Sequence, residues 1–333
     1  MIGGFLPLEP GGPPVARGVP DLWGVGDDTA WLFANARSAL AYLLRWRGVE
    51  RLWLPAYICP ELADAGAGIA IAWYPLSADL SPDVARLRVD LRAGDCVLAV
   101  DFFGRAPAGD FRDLAASRAD ILWVEDRAQA LWPAPEPWAK WVLYSPRKLF
   151  GVAEGGIMVH GGGRVARPDY APPLLPDCAA PRRMPAGDAA ARARRYAAYR
   201  RIEDAMAVSV AAMGAATRAR LAAIDPAPAM QRRRANFDAL AALLGDVALI
   251  SGRIGDFVPF GFPVRLRDCA RVAQALAELG IFAARHWPDL RCDPAAFPEA
   301  HALARAVLTL PCDQRYEVSD MRRVAAALRE ALR

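Results

Sequence analysis

Residues 121–131 read Ile-Leu-Trp-Val-Glu-Asp-Arg-Ala-Gln-Ala-Leu, and residues 141–148 read Trp-Val-Leu-Tyr-Ser-Pro-Arg-Lys. Each segment is a short apolar run that ends in a residue able to do chemistry, Asp126 in the first and Lys148 in the second. Runs of this length are typical of buried strands. In an open α/β sheet, ligands bind beyond the carboxyl ends of the strands. The two segments therefore predict a site at the ends of two buried strands.

Similar apolar runs flank these segments and alternate with amphipathic stretches, which implies a mainly parallel sheet covered by helices. The predicted strands are residues 51–55, 69–76, 95–103, 120–126, 141–145 and 156–160, and the predicted helices are 38–46, 82–91 and 110–117. We expect an α/β fold with two parts. A three-layer α/β/α large domain with a mainly parallel sheet spans residues 1–225, and a smaller C-terminal α+β domain spans 226–333.

The second half of the chain begins with an irregular stretch. Residues 161–185 are rich in Pro and Gly and show no period, which is typical of a long functional loop. Residues 189–223 predict one or two helices. Pro226 and Pro228 interrupt this pattern, and a helix is expected to resume at 231–244.

The composition excludes several classes of function. No apolar run reaches the roughly 18 residues of a membrane span, and residues 1–20 lack the basic start and apolar core of a signal peptide. We therefore expect a cytoplasmic protein without a membrane partner. The net charge is only +4 and the arginine clusters are short, so we expect no nucleic-acid partner. Six scattered cysteines without a CxxC pair predict reduced thiols and no metal site.

Lysine is rare in this chain. Of the 41 basic residues, 39 are arginines and only two are lysines, Lys140 and Lys148. Arginine does not supply a neutral amine, because its pKa stays above about 12. Lys148 lies at the end of a predicted strand beside Arg147, and a neighbouring cation favours the neutral amine, which condenses with aldehydes. Lys148 is therefore a candidate nucleophile. For Lys140, the simpler interpretation is a lysine retained by chance without a role in the chemistry.

The neighbouring polar residues allow two interpretations each. Asp126 either holds a proton on a heterocyclic nitrogen or caps the segment that follows it. The helix start at residues 35–38 either binds an anion through its N–H groups or is simply capped by Asn35 or Ser38. Ser145 offers a hydroxyl to a phosphate oxygen, and Arg147 either adds charge to that phosphate or faces solvent.

Taken together, these segments resemble a known family. Asp126-Arg127-Ala128-Gln129-Ala130 resembles the Asp-x-Ala-Gln-Ala motif of the DegT-type sugar aminotransferases, which are fold-type I enzymes dependent on pyridoxal phosphate (PLP). Ser145-Pro146-Arg147-Lys148-Leu149 with Glu154-Gly155-Gly156 is similar to their lysine segment. Further similar segments follow in the same order: Asn35–Leu40, Pro55-Ala56-Tyr57, Arg233-Arg234-Ala235-Asn236-Phe237, Arg285-His286-Trp287-Pro288 and Leu310-Pro311-Cys312-Asp313.

The resemblance implies a role for each matching residue. Lys148 would form the Schiff base with PLP and carry the proton of the 1,3-shift, Asp126 would pair with the pyridine nitrogen, and Gln129 would lie near the ring and its phenolic oxygen. The other implied cofactor contacts are Ser145, Ala36, Arg37 and Ser38 at the phosphate and Tyr57 or Phe102 stacked on the ring.

Three features depart from the family pattern. Arg127 stands where the family usually has a small residue, and Lys148 follows Ser145 more closely than in many members. No Gly-x-Asn-x-Arg segment occurs, although the family places one across the dimer interface and residues 161–185 are its expected location. The absence of this segment weakens the implied nucleotide-sugar substrate more than the implied cofactor.

The resemblance implies an aminotransferase that moves an amino group from an amino-acid donor to a keto substrate, for example a keto sugar in polysaccharide or secondary-metabolite biosynthesis. It also implies a homodimer, which agrees with the prevalence of two-fold pairs. Two alternatives stay open, because a fold does not fix a reaction. One is another PLP-dependent reaction, such as elimination, decarboxylation or aldol-type cleavage, and the other is a non-catalytic protein that keeps the fold.

Overall fold

The computed structural model describes residues 1–131, 137–173, 178–184, 187–250 and 257–333. The chain forms two compact units. Unit 1 comprises residues 1–4, 49–139 and 227–333, and unit 2 comprises residues 5–48 and 140–226. The two units are built from interleaved stretches of the chain, so they do not test a division at one position. The division at residue 225 stays a prediction.

The strands and α-helices of the described residues are numbered here in chain order. The strands are β1 (Ile2–Gly3), β2 (Ala30–Phe33), β3 (Arg51–Pro55), β4 (Ala70–Tyr74), β5 (Cys96–Val100), β6 (Leu122–Asp126), β7 (Trp141–Tyr144), β8 (Gly156–His160), β9 (Phe262–Arg265), β10 (Ile281–Phe282), β11 (Ala284–Arg285) and β12 (Val307–Leu310). The α-helices are α1 (Val19–Leu22), α2 (Ala36–Trp46), α3 (Val84–Asp90), α4 (Gly109–Ser117), α5 (Ala180–Arg183), α6 (Ala189–Ala205), α7 (Ala215–Ala223), α8 (Pro226–Leu244), α9 (Cys269–Glu278), α10 (Pro298–Ala306) and α11 (Val318–Ala331).

In the described part of the chain, seven strands form one sheet in the order β2-β8-β7-β6-β5-β3-β4. Strand β3 pairs in parallel with β4 and β5, and β5 pairs in parallel with β6. Strand β8 pairs antiparallel with both β7 and β2. Nearly all side chains of β5, β6, β7 and β8 are buried, as expected of strands covered on both faces. The predicted α/β class with a mainly parallel sheet is confirmed.

Strand β2 was not predicted. Its four residues, Ala-Trp-Leu-Phe, form the antiparallel end of the sheet. Its register opposes Phe33 to Gly156 of β8. A Cβ added to Gly156 would lie 2.1 Å from the backbone carbon of Asn35, so only glycine lets β8 approach the start of α2 this closely.

The C-terminal part of unit 1 has its own core. Strands β11, β12 and β9 form an antiparallel sheet in that order. Apolar residues of α8, α9 and α11 pack together with those strands, including Phe237, Val272 and Val324. This α+β arrangement is the one expected of the C-terminal residues.

Helix α8 corrects one prediction. It begins at Pro226 and continues through Pro228, whereas a new helix was expected only from residue 231. Both prolines lie in the first turn, where a backbone N–H has no partner within the helix and proline is tolerated.

Residues 161–173 form the irregular stretch expected there, and the short α5 follows at Ala180–Arg183. Residues 174–177 and 185 of the predicted loop lie outside the described residues. Across the described chain, none of the helices combines the length and the apolar character that crossing a membrane requires.

Candidate active site

The turn after β6 holds Asp126 in a buried position. Its backbone carbonyl accepts a hydrogen bond from Asp101 N at 2.9 Å, and its Oδ1 accepts one from Ala128 N at 2.8 Å. The bond to Ala128 closes a turn, and residues 127–131 are not helical. Asp126 is thus a carboxylate fixed at the carboxyl end of a strand, the position at which sheets of this kind bind ligands.

Gln129 stabilises a second turn in the same unit. Its Oε1 accepts a hydrogen bond from Phe103 N at 2.9 Å, and the Gln129 side chain is buried. Phe103 has φ of 56°, a left-handed conformation that is unfavourable for a bulky side chain. The bond to Gln129 therefore helps to hold the strained turn of residues 102–104 after β5.

The two aromatic residues proposed to stack on the ring lie together. The ring centroids of Tyr57 and Phe102 are 6.0 Å apart, and Trp287 packs on Tyr57 at 5.3 Å. The hydroxyl of the fully buried Tyr57 donates a hydrogen bond to the carbonyl of His286. Burial raises the pKa of Tyr57 above its ordinary value, so this side chain stays neutral and forms an apolar wall.

An ionic cluster is buried beneath the turn after β6. Arg127 contacts Glu125 Oε1 through Nε at 2.6 Å and through NH2 at 2.5 Å. Arg127 Nε also lies 3.5 Å from Asp101 Oδ2, and all three side chains are almost completely buried. Sequence reasoning noted Arg127 only as a departure from the family pattern. The alternation of a strand places residues 125 and 127 on the same face, and this signal could have indicated the Glu–Arg pair.

The turn after β7 carries the candidate nucleophile. Lys148 N donates to Ser145 O at 3.1 Å, which closes a 3-10 turn over Pro146–Lys148. Lys148 is half-buried and Ser145 is buried, whereas Lys140 is exposed. The two lysines thus differ in exposure, and Lys148 is the one that lies on the turn after a strand.

Arg147 forms an ion pair within the protein that was not expected. Its NH1 donates hydrogen bonds to both carboxylate oxygens of Glu203 on α6. The Arg147 side chain is only 13% exposed, so it does not simply face solvent. Glu203 lies 56 positions further along the chain, and no local pattern indicated this ion pair.

The first turn of α2 is held by bonds within the chain. Asn35 is the N-cap residue, since its Oδ1 accepts from Ser38 N at 2.9 Å and from Ser38 Oγ at 3.0 Å. Ser38 Oγ in turn accepts from Ser209 N at 3.0 Å. Asn35 Nδ2 donates to Ala207 O at 3.1 Å, and Arg37 NH2 donates to Met206 O at 2.5 Å. Residues 206–209 thus pack against the predicted phosphate-binding turn.

Glu154 was named only as part of a motif. Its Oε1 accepts from Gly214 N at 2.6 Å, and burial raises the pKa of this carboxyl. The next residue, Gly155, has φ of 131°, and a Cβ there would lie 2.6 Å from Pro146. Glycine at 155 therefore allows the turn of residues 145–148 to pack on the turn that leads into β8.

Within the described residues, no cluster of three or more His, Cys, Asp and Glu side chains could hold a metal ion.

No family model and no curated protein matches the sequence. Solved structures do match. DesV of S. venezuelae, in complex with a ketimine intermediate, is 22% identical with a TM-score of 0.66, and 91% of this chain and 85% of that chain are covered. The fold is that of the DegT-type aminotransferases. A DegT DnrJ EryC1 StrS aminotransferase from Brucella abortus gives a TM-score of 0.66 at 15% identity, with 91% and 86% of the two chains covered.

Another similar structure spans both chains completely. Spr1654 of Streptococcus pneumoniae in its PLP form gives a TM-score of 0.68 at 16% identity, with 100% of each chain covered. At these identities the likeness establishes the fold, and the predicted fold-type I architecture is confirmed.

Proposed function

We propose that this protein is a PLP-dependent aminotransferase that transfers an amino group from an amino-acid donor to a keto substrate, with a keto sugar as the favoured class. One observation carries the proposal: Lys148 is half-buried on the turn after β7, in a chain whose other lysine is exposed. The full-length likeness to Spr1654 in its PLP form supports the same cofactor, and the likeness to DesV supports the same reaction class.

The chain's side chains fit the three functional parts of PLP, which are an aldehyde, a pyridine nitrogen and a phosphate. Lys148 is an amine for the aldehyde, and Asp126 is a carboxylate for the nitrogen. Ser145 is a buried hydroxyl for the phosphate. When bound, PLP supplies an electron sink that stabilises negative charge on the substrate carbon next to nitrogen.

The proposed role of Lys148 has two parts. With PLP bound, its Nζ would hold the cofactor covalently in the absence of substrate. Once released by substrate, the Nζ amine would act as a positioned general base and acid that moves a proton between two carbon atoms. Arginine does neither, because it stays protonated at neutral pH.

Asp126 is proposed to keep the ring nitrogen protonated through its negative charge. Gln129 uses its Oε1 for Phe103, so its contact with the cofactor falls to the Nε2 amide, a hydrogen-bond donor suited to a phenolic oxygen. Tyr57 and Phe102 are proposed as the apolar surface against the ring.

Phosphate binding is assigned to Ser145 and to the start of α2. In a helix, the first N–H groups have no partner within the helix, and Ala36 and Arg37 occupy these positions. The Ser38 hydroxyl is already bonded to Asn35 and Ser209, so it reaches a phosphate only by exchanging a partner. Ser38 is therefore the weakest of these proposed contacts.

Absorbance spectra of the protein with added PLP test the proposal. We expect a visible band that bleaches when an amino donor is added and returns when a keto acid is added. Lys148→Arg is the control and should give no such band. A band that no amino donor changes would contradict transamination and favour another PLP-dependent reaction or a non-catalytic protein.

We also propose that the protein acts as a cytoplasmic homodimer. The support is the fold, because sites of this fold type are normally completed at a two-fold interface. Light scattering of the PLP-loaded protein should give twice the 36.0 kDa chain mass. A fully loaded monomer would contradict the dimer.

A further inference from the structure

Two buried carboxyl groups, those of Glu125 and Asp101, share a single cation, Arg127, in unit 1. Glu125 and Asp126 end β6, Asp101 follows β5, and Arg127 lies beside them. Glu125, Asp101 and Arg127 are each at most 1% exposed, and Asp126 is 5% exposed. Burying the two negative charges of Glu125 and Asp101 against one positive charge is costly, so a proton on one of these two carboxyl groups is favoured.

The hydrogen-bond donors decide which carboxyl takes the proton. Glu125 Oε1 receives both Arg127 contacts, and Glu125 Oε2 accepts from Trp138 N at 3.0 Å and from Ala139 N at 3.3 Å. Asp126 Oδ1 accepts from Ala128 N. Among the described residues, no donor group forms a hydrogen bond with either oxygen of Asp101, and the Glu125 carboxyl lies within hydrogen-bonding reach of the Asp101 carboxyl. Donor groups therefore stabilise a negative charge at both oxygens of Glu125 and at one oxygen of Asp126, whereas Asp101 receives none from the described residues.

We propose that Asp101 carries a proton at neutral pH and shares it with Glu125, and that this leaves Asp126 ionised. The proton is held on Asp101 because ionising it would place a second buried negative charge beside Arg127, which already pairs with Glu125. With Asp101 neutral, Glu125 and Arg127 compensate each other and Asp126 keeps a full negative charge. Asp101 is then a positioning residue, which acts on the cofactor nitrogen only through Asp126.

The charges around Asp101 agree with this assignment. The charged groups that face it are Glu125, Asp126 and Arg127, all at the end of β6. Burial raises the pKa of Asp101 well above its usual range, and the charge of Glu125 raises it further, while Arg127 opposes them. The link to Asp126 rests on the proposed function, whereas the protonation of Asp101 does not.

Infrared difference spectroscopy of the apoprotein tests the protonation. Protein grown with carboxyl-¹³C aspartate is compared with unlabelled protein at neutral pH. A protonated-carboxyl band that shifts with the aspartate label, persists in Asp126→Asn and disappears in Asp101→Asn is the expected result. The absence of such a band, a band that ignores the label, or one that is lost in Asp126→Asn would each overturn the proposal. The labelled wild-type protein and Asp126→Asn decide the question even where Asp101→Asn fails to fold.

Thermal unfolding as a function of pH gives a second readout. A carboxyl whose folded pKa is raised binds its proton more tightly in the folded state. The stabilisation from this proton is complete when the pH is below the carboxyl's pKa in the unfolded state, about 4. It is lost as the pH rises through the carboxyl's pKa in the folded state. Asp101→Asn lacks this titration. The thermal unfolding midpoint of the variant, compared with that of the wild type at the same pH, should therefore increase as the pH is raised from about 5 to 8. A constant difference between the two proteins over that range would contradict the assignment.

These experiments keep the two proposals apart. If the protein binds no PLP, the infrared and unfolding results still decide the state of Asp101. If PLP binds and the labelled band is missing, only the inference about Asp101 is overturned.

Discussion

The segment 125–129 at the end of β6 and the first turn of α2 at 35–38 both include residues expected to contact the cofactor. The two segments are held in place by different kinds of interaction. The first segment is built on charge: Glu125 and Arg127 form a buried ion pair, with Asp126 between them in the chain. The α2 turn is built on neutral hydrogen bonds, in which Asn35 and Ser38 bond each other and the segment 206–209.

This difference separates a reactive role from a structural one. Charges buried next to a strand end cost free energy, and such groups recur at functional sites because they set protonation states. Neutral caps stabilise a helix start by local bonding and are replaceable at modest cost. We therefore expect substitutions after β6 to change the reaction rate and the ion cluster, and substitutions in the α2 turn to change stability.

The largest expected effect is on stability, at Arg127. Arg127→Met removes the cation and leaves Glu125 and Asp101 buried without it. Breaking a buried ion pair in this way costs about 3–5 kcal/mol, which urea unfolding measures. Arg118→Met is the matched control, because Arg118 pairs with the exposed Asp120 and such pairs contribute less than about 1 kcal/mol. Equal losses in the two variants would show that the Arg127 cluster has no special cost.

Asp126→Asn tests the charge of the same segment in the reaction. Asparagine still accepts a hydrogen bond from Ala128 N but brings no negative charge. The single-turnover rate should fall about a hundredfold or more, equivalent to about 3 kcal/mol of barrier, with PLP still bound. Asp83→Asn is the control, because Asp83 caps α3 by accepting from Arg86 N and asparagine caps equally well. A near-wild-type rate for fully loaded Asp126→Asn would leave Asp126 as a turn residue only.

Asn35→Ala sharpens the structural side of the comparison. It removes the cap of α2 and the bond to Ala207 and should lower the free energy of unfolding by about 1–2 kcal/mol. Asp83→Ala, which removes the cap of α3, should cost about 1 kcal/mol. The affinity for PLP should change little in both. A large loss of PLP affinity in Asn35→Ala without a loss of stability would make Asn35 a cofactor contact.

Local patterns predicted strands β3 to β8 and the two strand-end residues, because burial and alternation are visible in a few consecutive residues. The helix start at Pro226 was misplaced because proline both breaks helices and begins them, and only the position within a turn decides between the two.

The partners of Arg127, Arg147 and Ser38 could not be predicted in full. Asp101 precedes Arg127 by a strand and a helix, Glu203 is 56 residues from Arg147, and Ser209 is 171 residues from Ser38. Such contacts depend on tertiary packing, which one sequence does not display. The proposed cofactor roles remain predictions for the same reason, since they depend on a bound molecule.

The covalent site of the cofactor tests the central claim most directly. The PLP-loaded protein is reduced with borohydride, digested and mapped by mass spectrometry. The chain has two lysines, so the result is a choice between them. We predict the pyridoxyl group on Lys148, the half-buried amine after β7, and none on the exposed Lys140. A pyridoxyl group on Lys140, or on neither lysine, would contradict the account.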